Sequence, residues 1–64
     1  MDFFKVAYNG GFYFHTGTID SAVASCFKRE FRVYDARGKL VVQVLGRIVE
    51  CYEYDNTGTI CGTY

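Results

Sequence analysis

The sequence predicts a β-rich α+β fold: a small antiparallel sheet of about five strands, arranged as a hairpin meander and strongly curled or barrel-like, with one short helix. Runs of β-branched and aromatic residues recur along the chain and are separated by Gly-containing turn signals. One segment between them changes to a helical period, which gives the order β-β-α-β-β-β. With 64 residues, half of them apolar, the chain is expected to form a single compact domain, residues 1–64.

The first two strands are predicted to form a hairpin around Asn9-Gly10. Residues 3–8 read FFKVAY, a run rich in strand formers. Asn-Gly is the strongest short hairpin signal, because both central positions of a type I′ turn need positive φ. This register places Val6 opposite Tyr13. The two faces then carry Phe4, Val6, Tyr8 and Tyr13 on one side and Phe3, Ala7, Phe12 and Phe14 on the other. Both faces of the hairpin are therefore apolar.

The only predicted helix covers about residues 20–28. Its apolar residues fall at positions i, i+4, i+7 and i+8 and are Ile19, Val23, Cys26 and Phe27. Either Thr18 or Asp20 is expected to cap the first turn. Lys28 and Arg29 then lie at the C-terminal end, where the helix dipole favours positive charge.

The rest of the chain is predicted to be β structure, in the runs FRVY, LVVQVL, IVECYEY and TICGTY. Gly46 is expected to form a bend, a bulge or a tight turn. The segments on either side of it are then either two separate strands or one long bent ribbon. A single alternation through this region separates its apolar residues into Leu40, Val42, Val44 and Ile48 on one face and Val41, Leu45 and Val49 on the other.

Three segments share a Tyr followed by a Gly four positions later: YDARGKL at 34–40, YDNTGTI at 54–60 and, more loosely, YFHTGTI at 13–19. A type I turn prefers Asp at its first position and Gly at its fourth, and a left-handed Gly then closes a three-residue hairpin loop. In this register Tyr34 faces Leu40, and Tyr54 faces Ile60. The repeated motif is thus predicted to be a backbone turn.

Candidate catalytic and metal sites have little support in the sequence. Asp35 and Asp55 provide one Asp per loop, whereas a calcium loop needs several oxygen ligands in one segment. His15 and the three cysteines match the number of ligands in a zinc site, but the sequence has no C-x-x-C pair. No motif joins a nucleophile to a base, and no phosphate-binding loop is present. We therefore expect no enzymatic activity, no metal and no cofactor.

The cysteine count predicts a reduced, cytoplasmic protein. The chain has three cysteines, Cys26, Cys51 and Cys61. An odd number argues against the fully paired disulfide framework of a secreted protein. A disulfide between Cys51 and Cys61 is geometrically feasible across the last hairpin but is disfavoured in a reducing compartment. No apolar run approaches the roughly 18 residues of a membrane span, so we expect no membrane association.

One stretch favours nucleic-acid binding. KVAYNGGFYF at residues 5–14 resembles the start of a cold-shock domain, in which a Lys-Val strand is followed by an aromatic residue, Asn and then Gly-Phe-x-Phe. The resemblance implies an OB-like module in which bases of a single strand stack on Phe12 and Phe14. A local nucleic-acid contact patch would be supplied by Lys28, Arg29 and Arg32. The seven basic and seven acidic residues leave no basic excess, which disfavours this reading.

The surplus of apolar surface favours a different function. One short helix covers only one face of a sheet, and exposed apolar patches mark interfaces. We therefore expect a non-enzymatic protein-binding module that acts by surface contact, as a homodimer or with a host protein. Small proteins of this kind suggest a phage or mobile-element accessory protein that inhibits host machinery stoichiometrically, as anti-CRISPR-type inhibitors do. The expected partner-binding residues are Phe3, Phe12, Phe14, Val41, Leu45 and Val49.

Overall fold

The computed structural model describes residues 3–52 and 58–63 and shows one antiparallel sheet of six strands with one short helix. The strands are β1 (Phe3–Tyr8), β2 (Gly11–Thr16), β3 (Glu30–Tyr34), β4 (Leu40–Leu45), β5 (Ile48–Tyr52) and β6 (Gly58–Thr63), and the helix α1 is Ile19–Ala24. Their order across the sheet is β2-β1-β3-β4-β5-β6. The prediction of a β-rich antiparallel fold with one short helix is confirmed.

Two details of the predicted fold are wrong. The sheet has six strands, because Gly46 and Arg47 form a tight turn between β4 and β5 instead of a bend in one ribbon. The sheet is also open and not barrel-like, since β2 and β6 lie at its two ends and do not pair with each other. The described part of the chain therefore has two edge strands.

The core lies between α1 and one face of the sheet. Val6, Val33 and Val44 are fully buried there, and the helix contributes Ala22. The remaining members of the buried cluster are Cys26, Phe31 and Val42. Because side chains alternate along a strand, every second residue of these strands points to the opposite face. We call that opposite side, on which none of the described elements packs, the open face.

The helix is shorter than predicted. It begins at Ile19 and ends at Ala24, so Lys28 and Arg29 lie beyond its C-terminus, contrary to the prediction. Phe27, predicted on the apolar stripe, is 89% exposed. The helical period stops before this residue, because the chain has to leave the helix in time to begin β3 at Glu30.

The predicted helix start is confirmed. Thr18 is the N-cap, and its Oγ1 accepts a hydrogen bond from the backbone N–H of Ser21 at 3.1 Å. The backbone N–H of Thr18 donates in return to Ser21 Oγ at 3.0 Å, which completes a capping box. The echo segment YFHTGTI therefore leads from β2 into a helix and does not form a hairpin turn.

The turn at Asp35 has the predicted geometry. Asp35 Oδ1 accepts hydrogen bonds from the backbone N–H groups of Arg37 and Lys39, both at 2.9 Å, and Gly38 N–H donates to Asp35 O at 2.9 Å. Tyr34 lies opposite Leu40, as expected. The second turn lies outside the described residues, as does Tyr54. Ile60 pairs with Glu50, so its predicted pairing with Tyr54 is wrong.

The predicted division of residues 40–49 between two faces is also wrong. The two-residue turn at Gly46 pairs Val44 with Val49 and Leu45 with Ile48. Directly opposite residues share a face, so Val49 lies with the core and Ile48 lies on the open face. A register shift at Val33/Tyr34 in the β3–β4 ladder gives Val41 no direct partner, and Val41 packs against the core cluster.

A disulfide joins Cys51 and Cys61, with their Cα atoms 5.8 Å apart. The sequence reasoning favoured reduced cysteines at these positions, and the structure corrects it. The bond crosses from β5 to β6 at the point where the β5–β6 register shifts. Cys26 is buried beside the helix and takes no part in the disulfide, as its place among apolar residues suggested.

We predict that Gly38→Val lowers the free energy of unfolding by about 1–2 kcal/mol or more, because Gly38 has φ +85° and side chains with a Cβ are disfavoured in the left-handed region. Chemical denaturation measures the change. Gly62→Val is the matched control, since a Cβ there meets nothing within 4 Å and no left-handed φ is involved. Equal stabilities of the two variants would contradict the assigned role of Gly38.

Candidate binding surface

The most distinctive feature of the open face is a cluster of three exposed phenylalanines, which we call the aromatic cluster: Phe3, Phe12 and Phe14. Their side chains are 38%, 56% and 60% exposed, respectively. The ring centroids of Phe3 and Phe14 are 5.5 Å apart, and those of Phe12 and Phe14 are 5.7 Å apart, both in edge-to-face geometry. The three rings thus form one contiguous apolar patch.

The hairpin register builds this cluster. Val6 pairs with Tyr13, as predicted, and Val6 is fully buried under the helix. Strand alternation then directs Phe12 and Phe14 to the open face. Phe14 lies opposite Lys5 in the register, and the Lys5 ammonium sits 4.5 Å from the centroid of the Phe12 ring. Lys5 therefore contributes a cation–π contact at the border of the cluster.

A polar row crosses the middle of the open face. Arg32 Nε donates to Gln43 Oε1 at 3.3 Å, and Gln43 Nε2 donates to Glu50 Oε1 at 3.3 Å. These residues lie directly opposite one another on β3, β4 and β5. The row provides charges of both signs, so the open face offers hydrogen-bonding groups beside its apolar ones.

A second apolar region lies beyond the polar row, at the tip of the β4–β5 hairpin. Leu45 and Ile48 are 42% and 44% exposed and lie directly opposite each other. On the outer strand β6, Ile60 is 67% exposed and pairs with Glu50. Large apolar side chains thus flank the polar row on both sides.

The structure separates the six predicted partner-binding residues into two groups. The open face holds Phe3, Phe12, Phe14 and Leu45. The other two, Val41 and Val49, are half-buried and pack against the core on the helix side. Sequence reasoning did not include Ile48 or Lys5, although the Gly46-Arg47 turn, if taken as a two-residue loop, places Ile48 beside Leu45.

The predicted basic patch is not assembled as one surface. Arg32 lies on the open face, in the polar row. Lys28 instead reaches the ring of Tyr8, 5.1 Å from its centroid, and Tyr8 belongs to the helix side. Arg29 accepts a hydrogen bond from Gly46 N–H at its backbone carbonyl, at 2.8 Å. Lys28 and Arg32 therefore lie on opposite faces of the sheet.

On the helix side, hydrogen bonds between side chains join β2 to the helix and its C-cap. His15 Nε2 lies 3.0 Å from Ser21 Oγ, and Tyr13 Oη lies 2.8 Å from Ser25 Oγ. Burial raises the pKa of Tyr13 above its ordinary value of 10.0 and outweighs the bond with Ser25, which lowers it. These contacts tie β2 to the helix.

Residues 3–52 and 58–63 contain no group of three or more His, Cys, Asp or Glu side chains placed to hold a metal ion. Cys51 and Cys61 are joined to each other. Within the same described ranges, no helix has the length and apolar character needed to cross a membrane.

The chain matches no protein-family model, no curated protein and no solved structure.

We predict that Tyr13→Phe lowers the free energy of unfolding at neutral pH by about 1 kcal/mol, because it removes the bond with Ser25. The raised pKa means that the folded state holds the Tyr13 proton more tightly than the unfolded state. Because burial disfavours the phenolate, the stability that wild type gains from the neutral phenol is complete below the unfolded-state pKa near 10 and is lost as pH rises through the folded-state pKa.

Urea denaturation of both proteins between neutral and alkaline pH measures the stability difference, which should shrink above about pH 10. Ser25→Ala is the control, because it loses the same hydrogen bond and keeps the ionisable phenol. A wild-type minus Tyr13→Phe difference that stays constant across this range would contradict the role assigned to burial.

Proposed function

We propose that this protein is a non-enzymatic binding module that acts by surface contact with another protein, and that the open face is its contact surface. The observation that carries the proposal is the aromatic cluster, in which three phenylalanines remain 38–60% exposed side by side. Contiguous exposed apolar surface is characteristic of interaction sites.

The composition of the open face supports a protein partner. Aromatic residues and Arg are the residue types enriched in protein interfaces, and such interfaces combine apolar contacts with hydrogen bonds. On the open face, the aromatic cluster and the Leu45–Ile48 pair lie on either side of the Arg32–Gln43–Glu50 row. A partner with apolar side chains and both donors and acceptors would complement this arrangement.

The arrangement of the rings is less favourable for stacked bases. Base stacking needs an open ring face, and the Lys5 ammonium already lies over one face of Phe12 at 4.5 Å. The neighbouring rings meet edge to face, with interplanar angles of 87° and 76°, so they do not form a flat platform. The net charge of zero provides no general attraction to phosphates.

The finer predictions remain part of this proposal. We retain a phage or mobile-element inhibitor of host machinery, of the anti-CRISPR type, as the expected biological role, with a homodimer as the expected self-association. Cytoplasmic localisation also stays a prediction. The Cys51–Cys61 disulfide weighs against it, because disulfides persist mainly in oxidising compartments.

We predict that Phe12→Ala and Phe14→Ala each weaken partner binding by about 1–3 kcal/mol, the range of an interface anchor, without unfolding the protein. The partner is first captured from the native host and purified, and the affinities are then measured by calorimetry. Phe27→Ala is the matched control, because Phe27 is 89% exposed but lies outside the aromatic cluster. Unchanged affinity in both cluster variants, or loss of binding in Phe27→Ala, would exclude the open face as the contact surface.

Single-stranded nucleic-acid binding is the second candidate, and the exposure of Phe12 and Phe14 on one sheet face favours it. Under this candidate, an oligonucleotide binds with an affinity that falls as salt increases, and each Ala variant loses about 1–3 kcal/mol of binding. Fluorescence anisotropy with labelled oligothymidine and oligoadenine measures both effects. No binding at low salt, or binding that both variants retain in full, rejects the candidate.

A further inference from the structure

We propose that the outer edge of β2 is a self-association site, at which β2 of one copy pairs antiparallel with β2 of a second copy. This proposal deepens the homodimer part of the proposed function and depends on it. It concerns the edge of the sheet, whereas the contact with another protein concerns the open face, so the two can fail separately.

The backbone of β2 presents a regular set of unpaired groups along this edge. Tyr8 and Gly11 flank the two-residue Asn9-Gly10 turn and lie directly opposite each other, so they form a hydrogen-bonded pair. Alternation along the strand then directs the N–H and C=O groups of Phe12, Phe14 and Thr16 away from β1. Within the described part of the chain, no strand pairs with β2 on that side.

This edge has none of the features that usually prevent strand pairing. Natural edge strands are protected by Lys, Pro, bulges or inward-pointing charges. The sequence of β2 is GFYFHT, with no Lys, Arg, Asp, Glu or Pro. Its ladder with β1 runs through six consecutive residue pairs without a register shift. An extended, regular and uncharged edge of this kind is suited to strand addition.

The other edge of the sheet is different. The β5–β6 ladder has a register shift at Val49/Glu50, and the disulfide to Cys51 lies at the same place. A bulge twists a strand and interrupts its line of hydrogen-bonding groups. The contrast between the two edges identifies β2 as the edge available for pairing.

A second copy of the chain fits this edge better than an unrelated strand. Pairing about a twofold axis is self-complementary, because each strand provides the same alternating donors and acceptors. The net charge of zero and the absence of charged residues in β2 remove the repulsion between identical chains. An axis perpendicular to the sheet keeps both open faces on the same side.

Pairing of this kind would also join the two aromatic clusters. Directly opposite residues of an antiparallel pair share a face. When the axis passes through Tyr13, Phe12 of one copy therefore lies opposite Phe14 of the other, with Cβ atoms about 4.5–5.5 Å apart. Six exposed rings, three from each copy, would then form one continuous surface.

The first test is amide hydrogen exchange followed by NMR, on the wild-type protein from low micromolar to near-millimolar concentration. We expect exchange at Phe12 and Phe14, which face each other across this axis, to slow as the concentration rises, while Tyr13, whose amide bonds to β1, shows no such change. Light scattering should show the mass of a single chain rising to twice that value over the same range. A constant single-chain mass, or outer amides that are indifferent to concentration, overturns the proposal.

The second test compares Phe14→Pro with Phe14→Ala. Both variants lose the ring, but only Pro also removes the outward-pointing N–H, which an edge strand tolerates. We expect Phe14→Ala to retain the dimer with reduced affinity and Phe14→Pro to be monomeric, with both folded by circular dichroism. A dimer in folded Phe14→Pro overturns pairing through the edge. Loss of partner binding in Phe14→Ala without loss of the dimer would support both proposals, with the open face and the outer edge of β2 as separate sites.

Discussion

One short helix has to cover a sheet of six strands, and this mismatch governs the rest of the structure. The helix spans six residues, and together with Cys26 it completes a core against one face of the sheet. Because an α-helix is about 10 Å wide and strands lie about 4.8 Å apart, this helix covers about two strands of one face, and no described element packs on the other face. The second face is left to water or to a partner.

The open face therefore carries large apolar residues of a type that is also buried in the core. Phe12 and Phe14 have the same residue type as the buried Phe31, and only strand alternation separates their environments. The protein places a polar row between its apolar regions. That arrangement limits the continuous apolar area while keeping the aromatic rings accessible, which is consistent with a surface for reversible contact.

The features that could be predicted from sequence are those determined by nearby residues. The Val6–Tyr13 register follows from Asn9-Gly10, and the Tyr34–Leu40 pairing follows from the Asp35 turn, because a tight turn fixes the register of both strands. The placement of Phe3, Phe12 and Phe14 on one face follows from the same hairpin register. Local chemistry and global fold agree at these positions.

The features that were missed depend on contacts distant in sequence. The apolar period continues to Phe27, but the helix ends at Ala24 because the chain must reach the start of β3. Val49 changes face because the turn at Gly46 replaces a continuous strand. The periodicity alone predicts neither effect, because it reports the pattern within one segment and both effects depend on the neighbouring elements.

The disulfide has a consequence for how the sheet opens. Residues 59–63 of β6 are all exposed, so this strand adds little apolar burial and would otherwise fray at small energetic cost. The bond between Cys51 and Cys61 ties β6 to a strand whose Val49 packs against the core. Detachment of β6 is then coupled to disruption of β5. The outermost strand is therefore expected to unfold together with the interior strands.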